Sequence, residues 1–374
     1  MRIQRRLATP HWLLVAVPAG SLLAAFVATA IVLLVAGKDP LAIYARLFDR
    51  AFIAPGALTN TLVTATPTLL TGLAAAAAFR MKLWNIGAEG QLYLGAVGAS
   101  GVGLALRDQS GPVIIAGMIL GGLILGAAWA IIPGLLKAYF NTNEIITSLM
   151  LNYVAGLLLT YLILDSRSFW RDLTSFSARA FPQGKVLPDG ASWPTFDVGV
   201  MVVPFGFVLG LLAAGLLWSL YGSTIFGFQA RILGDSPSAA RYSGVKTRRV
   251  VVLMMALSGA LAGLGGASEI GDFRHVLDPR GLQQVGLGYA GIVVAALARY
   301  NPFSVVVVAF LLGGLANAGY SLQGPGFPAG LVGVLQGMIL FFALGGELLL
   351  HNRISLTLSL SPQGRGLGRG ASTP

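Results

Sequence analysis

Long apolar runs separated by short polar stretches make up most of this chain. A helix needs about 20 apolar residues to cross a bilayer, and ten runs predict such helices. They cover about 12–36, 60–79, a stretch ending near 106, 113–136 and 144–164, then a stretch ending near 220, 250–270, 285–298, 303–320 and 329–349. The eighth is short, so 271–284 is expected to be an outer loop or the start of a broken helix that dips into the membrane. The first run follows MRIQRR and exceeds the 7–15 apolar residues of a signal peptide, with no small-residue cleavage site after it. It is therefore expected to be a retained first helix. Segment 38–59 reads as external and partly helical, and 165–198 as the longest external loop. The predicted fold class is an all-α polytopic membrane protein of about ten transmembrane helices. Residues 1–350 form the transmembrane domain, and 351–374 a flexible tail.

If the first helix stands apart, helices 2–5 and 7–10 are two sets of four that start in opposite directions. That pattern predicts an inverted repeat. NIGAEGQLYLGAVGA in one set and PRGLQQVGLGYAGIVVAAL in the other echo each other, both Gly-interrupted and both bearing Gln.

Composition agrees with a membrane protein. Hydrophobic residues make up 55% of the 374 and charged residues only 10%, against about 25% charged in soluble domains. The mean hydropathy is +0.77. The 50 glycines suit close helix packing in lipid. There is no cysteine, hence no disulfide framework or thiolate metal site, and the three histidines are scattered. The net charge of +11 is a matter of topology, not of nucleic acid. With both termini inside, 15 of the 25 Lys/Arg and four of the 14 acidic residues fall on the cytoplasmic side, the sign that the positive-inside rule requires.

The basic stretch 222–249 lies between the two sets. Ser236 can cap a helix, Pro237 suits its first position and Gly244 can close it in a left-handed conformation. A helix of about two turns is not stable alone. It must be held against something, which makes this loop a candidate docking element, with Ala239 and Ala240 on the contact side and Arg241 available to an acidic partner. The alternative is an ordinary connecting loop.

Polar residues in otherwise apolar spans form four further groups. Asn85, Glu89 and Gln91 stand among glycines and can line or hinge a polar path. Asn143 and Glu144 suit a helix start, whereas Asn152 and Tyr153, two turns on, can face a cavity. Gln283, Gln284 and Tyr289 can hydrogen-bond an uncharged solute or a neighbouring helix. Asn317, Tyr320 and Gln323 can border an outer entrance. The nucleotide-binding loop G-x-x-x-x-G-K-[ST] is absent, as are H-E-x-x-H and G-x-S-x-G. Nothing suggests an enzyme.

With NIGAEGQLYLGA at 85–96, NEIITSLMLNYVA at 143–155, ARILGDSPSAARYSGV at 230–245 and GLGYAGIVVAALARYNP at 286–302, the chain resembles a family. It is similar to the permease subunits of bacterial ABC importers, in the branched-chain-amino-acid and ribose permease superfamily, nearest the nucleoside (basic-membrane-protein-associated) branch. Ala290 stands where that family often has Asp. The resemblance implies a subunit of the cytoplasmic (inner) membrane that forms the path for a small polar solute, most specifically a nucleoside. A second permease, two ATPase subunits that carry ATP and Mg, and an extracytoplasmic binding lipoprotein would complete the complex, with no cofactor on this chain. It also implies that 230–245, with Arg231, Gly234, Pro237, Ala239, Ala240, Arg241 and Gly244, couples to the ATPase. Sugar or branched-chain amino acid import, or an ion-coupled secondary transporter, are the alternatives.

Overall fold

The structure is a computed structural model and describes residues 2–5, 13–176, 178, 181–322 and 330–355. It is mostly helical, and the helices stand where the apolar runs predict them. In order they are α1 (Leu13–Val35), α2 (Pro40–Phe48), α3 (Ala57–Phe79), α4 (Ala88–Ala105), α5 (Gly111–Phe140), α6 (Glu144–Thr160), α7 (Phe205–Ser223), α8 (Ile225–Asp235), α9 (Pro237–Tyr242), α10 (Thr247–Ser268), α11 (Pro279–Val285), α12 (Leu287–Leu297), α13 (Pro302–Ser321) and α14 (Leu331–His351). Six of them, α3, α5, α6, α7, α10 and α13, some lengthened by a π turn, are long and apolar enough to cross a membrane. The other expected spans correspond to α1, α4, the α11–α12 pair and α14. The eighth expected span is met by a broken helix: Gly286 takes φ +65° between α11 and α12, where a side chain would be strained.

By their contacts, residues Met1–Gly37 with Gly333–Pro374 form one compact unit and Lys38–Val332 another. In the first, β1 (Arg2–Arg5) pairs antiparallel with β4 (Asn352–Ser355), and Gly346 lies against Ser21. The start of the expected tail, 352–355, is thus a paired strand, and 356–374 lie outside the described residues.

In the larger unit the helices pack through small residues. Helix α10 lies against α5 and α4, α3 lies against α13 and α12, and α3 and α10 touch each other. Gly259, Gly263 and Gly266 put backbone directly on backbone. A Cβ at Gly263 would overlap the Gly122 carbonyl oxygen, and one at Gly266 that of Leu92. Close approach of this kind replaces the hydrophobic driving force that lipid does not supply. Threonines inside α3 return their hydroxyls to the preceding turn, Thr66 to Leu62 O (2.7 Å) and Thr71 to Pro67 O (2.9 Å).

In segment 165–198, expected to be external, the described residues are fastened to the helices. Leu187 N donates to His275 O (2.9 Å), Trp193 N to Gly271 O (3.0 Å) and Trp170 Nε1 to Val97 O (3.2 Å). The hairpin of β2 (Thr195–Val198) and β3 (Met201–Pro204) then leads into α7.

Candidate translocation and coupling sites

At the turn before α4, two of the predicted polar residues, Asn85 and Gln91, come together with Ser258. Asn85 Nδ2 donates to Gln91 Oε1 (2.9 Å) and to Ser258 Oγ (2.9 Å). Gln91 Nε2 returns a bond to Asn85 Oδ1 (3.0 Å), which also accepts Gly87 N (3.0 Å). Ser258 Oγ in turn donates to Ala74 O (2.7 Å) on α3. All three side chains are buried, so this amide pair ties the α4 turn to α10 and α3. A buried polar network of this kind is sound when its members find partners, and these do.

Glu89, one turn along, is buried as well. Its Oε1 accepts the Tyr93 hydroxyl (2.6 Å), and its Oε2 accepts Gly288 N (2.5 Å) and Tyr289 N (3.3 Å) at the start of α12. A carboxylate at a helix N-terminus satisfies backbone donors that lack intrahelical partners. Asn152, on α6, accepts Gly90 N at Oδ1 (2.9 Å) and donates through Nδ2 to Ile86 O (2.9 Å) and to the Tyr289 hydroxyl (3.2 Å). The structure therefore brings Asn85, Glu89, Gln91 and Asn152 into one buried patch whose polar atoms are taken up by the chain itself.

The exposed polar groups lie at its edge. Tyr153 is 63% exposed and Tyr289 39%, and Gln284 is exposed on α11. Gln283 is occupied, donating to Gly156 O (2.8 Å) and Thr160 Oγ1 (3.0 Å) on α6. The α6–α11–α12 surface thus carries two phenols and an amide beside the satisfied network. Asn317, expected at an outer entrance, is instead buried. It donates to Arg50 O, Ala57 O and Thr61 Oγ1, because its position on α13 faces the start of α3. Tyr320 is exposed, and Gln323 lies outside the described residues.

A pair the sequence reasoning missed stands at the end of α10. Glu269 Oε2 accepts Arg274 Nε at 2.7 Å with both side chains largely buried, and Arg274 Nη2 donates to Gly281 O (3.0 Å) on α11. Opposite charges five apart in EIGDFR were the available signal; a span boundary expected at 270 divided the pair and concealed it.

At the other end, Thr224 Oγ1 caps α8 by accepting Gly227 N (3.0 Å), and Ser236 Oγ caps α9 by accepting Ala239 N (3.3 Å). Pro237 occupies the first position of α9, and Gly244 has φ +76°, as the sequence required. Gly234 is buried against the Met81 backbone, where a Cβ would come within 3.0 Å. Ala240 is fully buried against this chain, whereas Ala239, Arg241 and Arg231 are exposed and Tyr242 is 95% exposed. Of the two alanines expected on a contact side, only Ala239 is exposed; Ala240 is buried in this chain. Tyr242 is the exposed aromatic that the sequence reasoning passed over.

A multi-pass helical membrane protein with a capped, projecting helix at its basic end is the class this geometry defines. The chain matches the family described as branched-chain amino acid transport system / permease component over residues 57–344. It belongs to that family. It is 31% identical over 373 residues to the glucose ABC transporter permease protein of Haloferax volcanii, covering 95% of this chain and 94% of the relative. It is also 31% identical over 329 residues to the guanosine ABC transporter permease protein of Bacillus subtilis (87% and 92%). To the nucleoside ABC transporter permease protein of Lactococcus lactis subsp. cremoris it is 28% identical over 335 residues (88% and 90%).

Proposed function

We propose that this chain is the translocation subunit of an ABC importer for nucleosides in a bacterial cytoplasmic membrane, with both termini cytoplasmic. The observation that carries the reading is the pairing of α9 with the bundle. A six-residue helix, capped at Ser236 and stopped at Gly244, is held to its own chain by Ala240 and presents Ala239, Arg241 and Tyr242 outward. Such an element has the form of a docking helix. Movement imposed on it by a partner that binds and hydrolyses ATP with Mg would pass into α10 and the buried network. In this reading two ATPase subunits, a second permease and an extracytoplasmic binding lipoprotein complete the complex, and this chain holds no cofactor. Residues 1–350 are its ten-span permease domain.

The swapped packing supports an inverted repeat: α3 lies on α12 and α13 of the other set, as α10 lies on α4 and α5. Tyr153, Gln284 and Tyr289 are the groups of this chain that meet the solute, since phenols stack on a nucleobase and an amide bonds its edge. Asn85, Glu89, Gln91 and Asn152 shape the path from behind.

Competition for uptake tests the substrate. In cells that make the whole complex, excess unlabelled guanosine or uridine should abolish labelled guanosine uptake, and glucose should not. Equal inhibition by glucose would favour a sugar permease, like the Haloferax volcanii relative named a glucose transporter permease.

A further inference from the structure

A cavity of about 780 Å³ opens beneath α9 in the larger unit, where the α3–α4 turn, the end of α5 and the starts of α6 and α10 meet. Lys82, Lys137, Arg241 and Arg248 line it against a single acid, Glu144. Lys137 is paired with Glu144 at 2.9 Å, and Lys82 reaches the exposed Asp235 at 3.6 Å. Among the described residues neither arginine has an acidic partner within ion-pair distance. The Arg248 guanidinium lies over the Tyr139 ring at 5.1 Å, and Arg241 Nε donates to Pro237 O at 3.3 Å. Two guanidinium groups and a net positive lining make this cleft complementary to a phosphate group, which they can grip bidentately.

We propose that this cleft binds the phosphate headgroup of an anionic membrane lipid. The surroundings favour a lipid over a soluble phosphate. Tyr139, which lines the cleft, and Phe140 are exposed at the end of α5, where aromatic side chains suit the membrane interface. Leu120, Ile124, Ile132 and Leu135 form an exposed apolar face on the same helix, leading to Tyr139 and able to receive acyl chains. Basic pockets between transmembrane helices are suited to anionic headgroups. Arg241 belongs to α9, whereas Lys137 and Arg248 belong to α5 and α10, so a bound phosphate ties the projecting helix to the bundle. That last consequence rests on the coupling role of α9; the binding does not.

Native mass spectrometry of the detergent-solubilised full chain tests it with phosphatidylglycerol, phosphatidylcholine of the same chains, AMP and inorganic phosphate as probes. The wild type should retain phosphatidylglycerol in preference to phosphatidylcholine. Arg241→Gln with Arg248→Gln should weaken phosphatidylglycerol binding about fivefold or more, as expected when charge-assisted bonds are lost, and the paired Lys substitutions should weaken it less. Neither AMP nor phosphate in excess should displace the lipid. Should the double substitution fail to fold, Arg248→Gln alone must still weaken binding. Unchanged retention in the variant that folds, or displacement by AMP or phosphate, would overturn the assignment.

Discussion

Glu89 Oε2, in the first turn of α4, accepts the backbone N–H of Gly288 at 2.5 Å, 199 positions away at the start of α12. One carboxylate thus fastens α4 to the start of α12. Gly288 permits it: a Cβ there would overlap the backbone of Glu89 itself.

Glu89→Leu should therefore strand the Gly288 and Tyr289 donors and the Tyr93 hydroxyl without their acceptor. A loss of about 1–3 kcal/mol for each unsatisfied buried group is the expected scale. The thermal midpoint of the purified chain should fall sharply. Glu89→Gln keeps one acceptor oxygen and should fall less. Equal midpoints for wild type and Glu89→Leu would show that this carboxylate does not hold the helices together.

Backbone contact in the α10 seam gives a contrast between two glycines. Gly263→Ala would drive a methyl group into the Gly122 carbonyl oxygen, whereas nothing lies within 4 Å of a Cβ at Gly215. The first substitution should cost about 1–3 kcal/mol or more, the usual price of overpacking. The second should be neutral or gain up to about 1 kcal/mol of helix propensity. Unfolding in detergent, followed by circular dichroism, reads the difference; matched effects would mean the seam can move apart.

The exposed and buried alanines of α9 separate docking from folding. Ala239→Glu changes an exposed side chain and should leave the purified chain as stable as wild type, while ATPase co-purification falls. Ala240→Glu places a charge at a fully buried position and should destabilise the chain itself. If Ala239→Glu retains the ATPase in full, α9 is a connector and not the docking element.

How much could be read beforehand depended on range along the chain. The α9 cap at Ser236, its Pro237 start and its Gly244 stop were legible because each acts within a few residues. Apolar runs likewise placed the helices, since span length and hydropathy are local. The role of Asn85 and Asn152 was not legible. Asn85's partner Ser258 lies 173 positions away and Asn152's partners Gly90 and Tyr289 lie 62 and 137 away, and a polar residue in an apolar run looks the same whether it faces solute or a distant partner. Ala240 was misjudged for a related reason: which face of a short helix turns inward is decided by its seat, here under α8 and α10, and not by its own sequence.

ATP-driven uptake in proteoliposomes tests the central claim most directly. The complete complex, rebuilt from this chain, its paired permease, the ATPase and the binding lipoprotein, should accumulate labelled guanosine only when ATP and Mg are supplied on the ATPase side. Imposed sodium or proton gradients should drive none. Accumulation driven by an ion gradient without ATP would contradict the account and make the chain a secondary transporter.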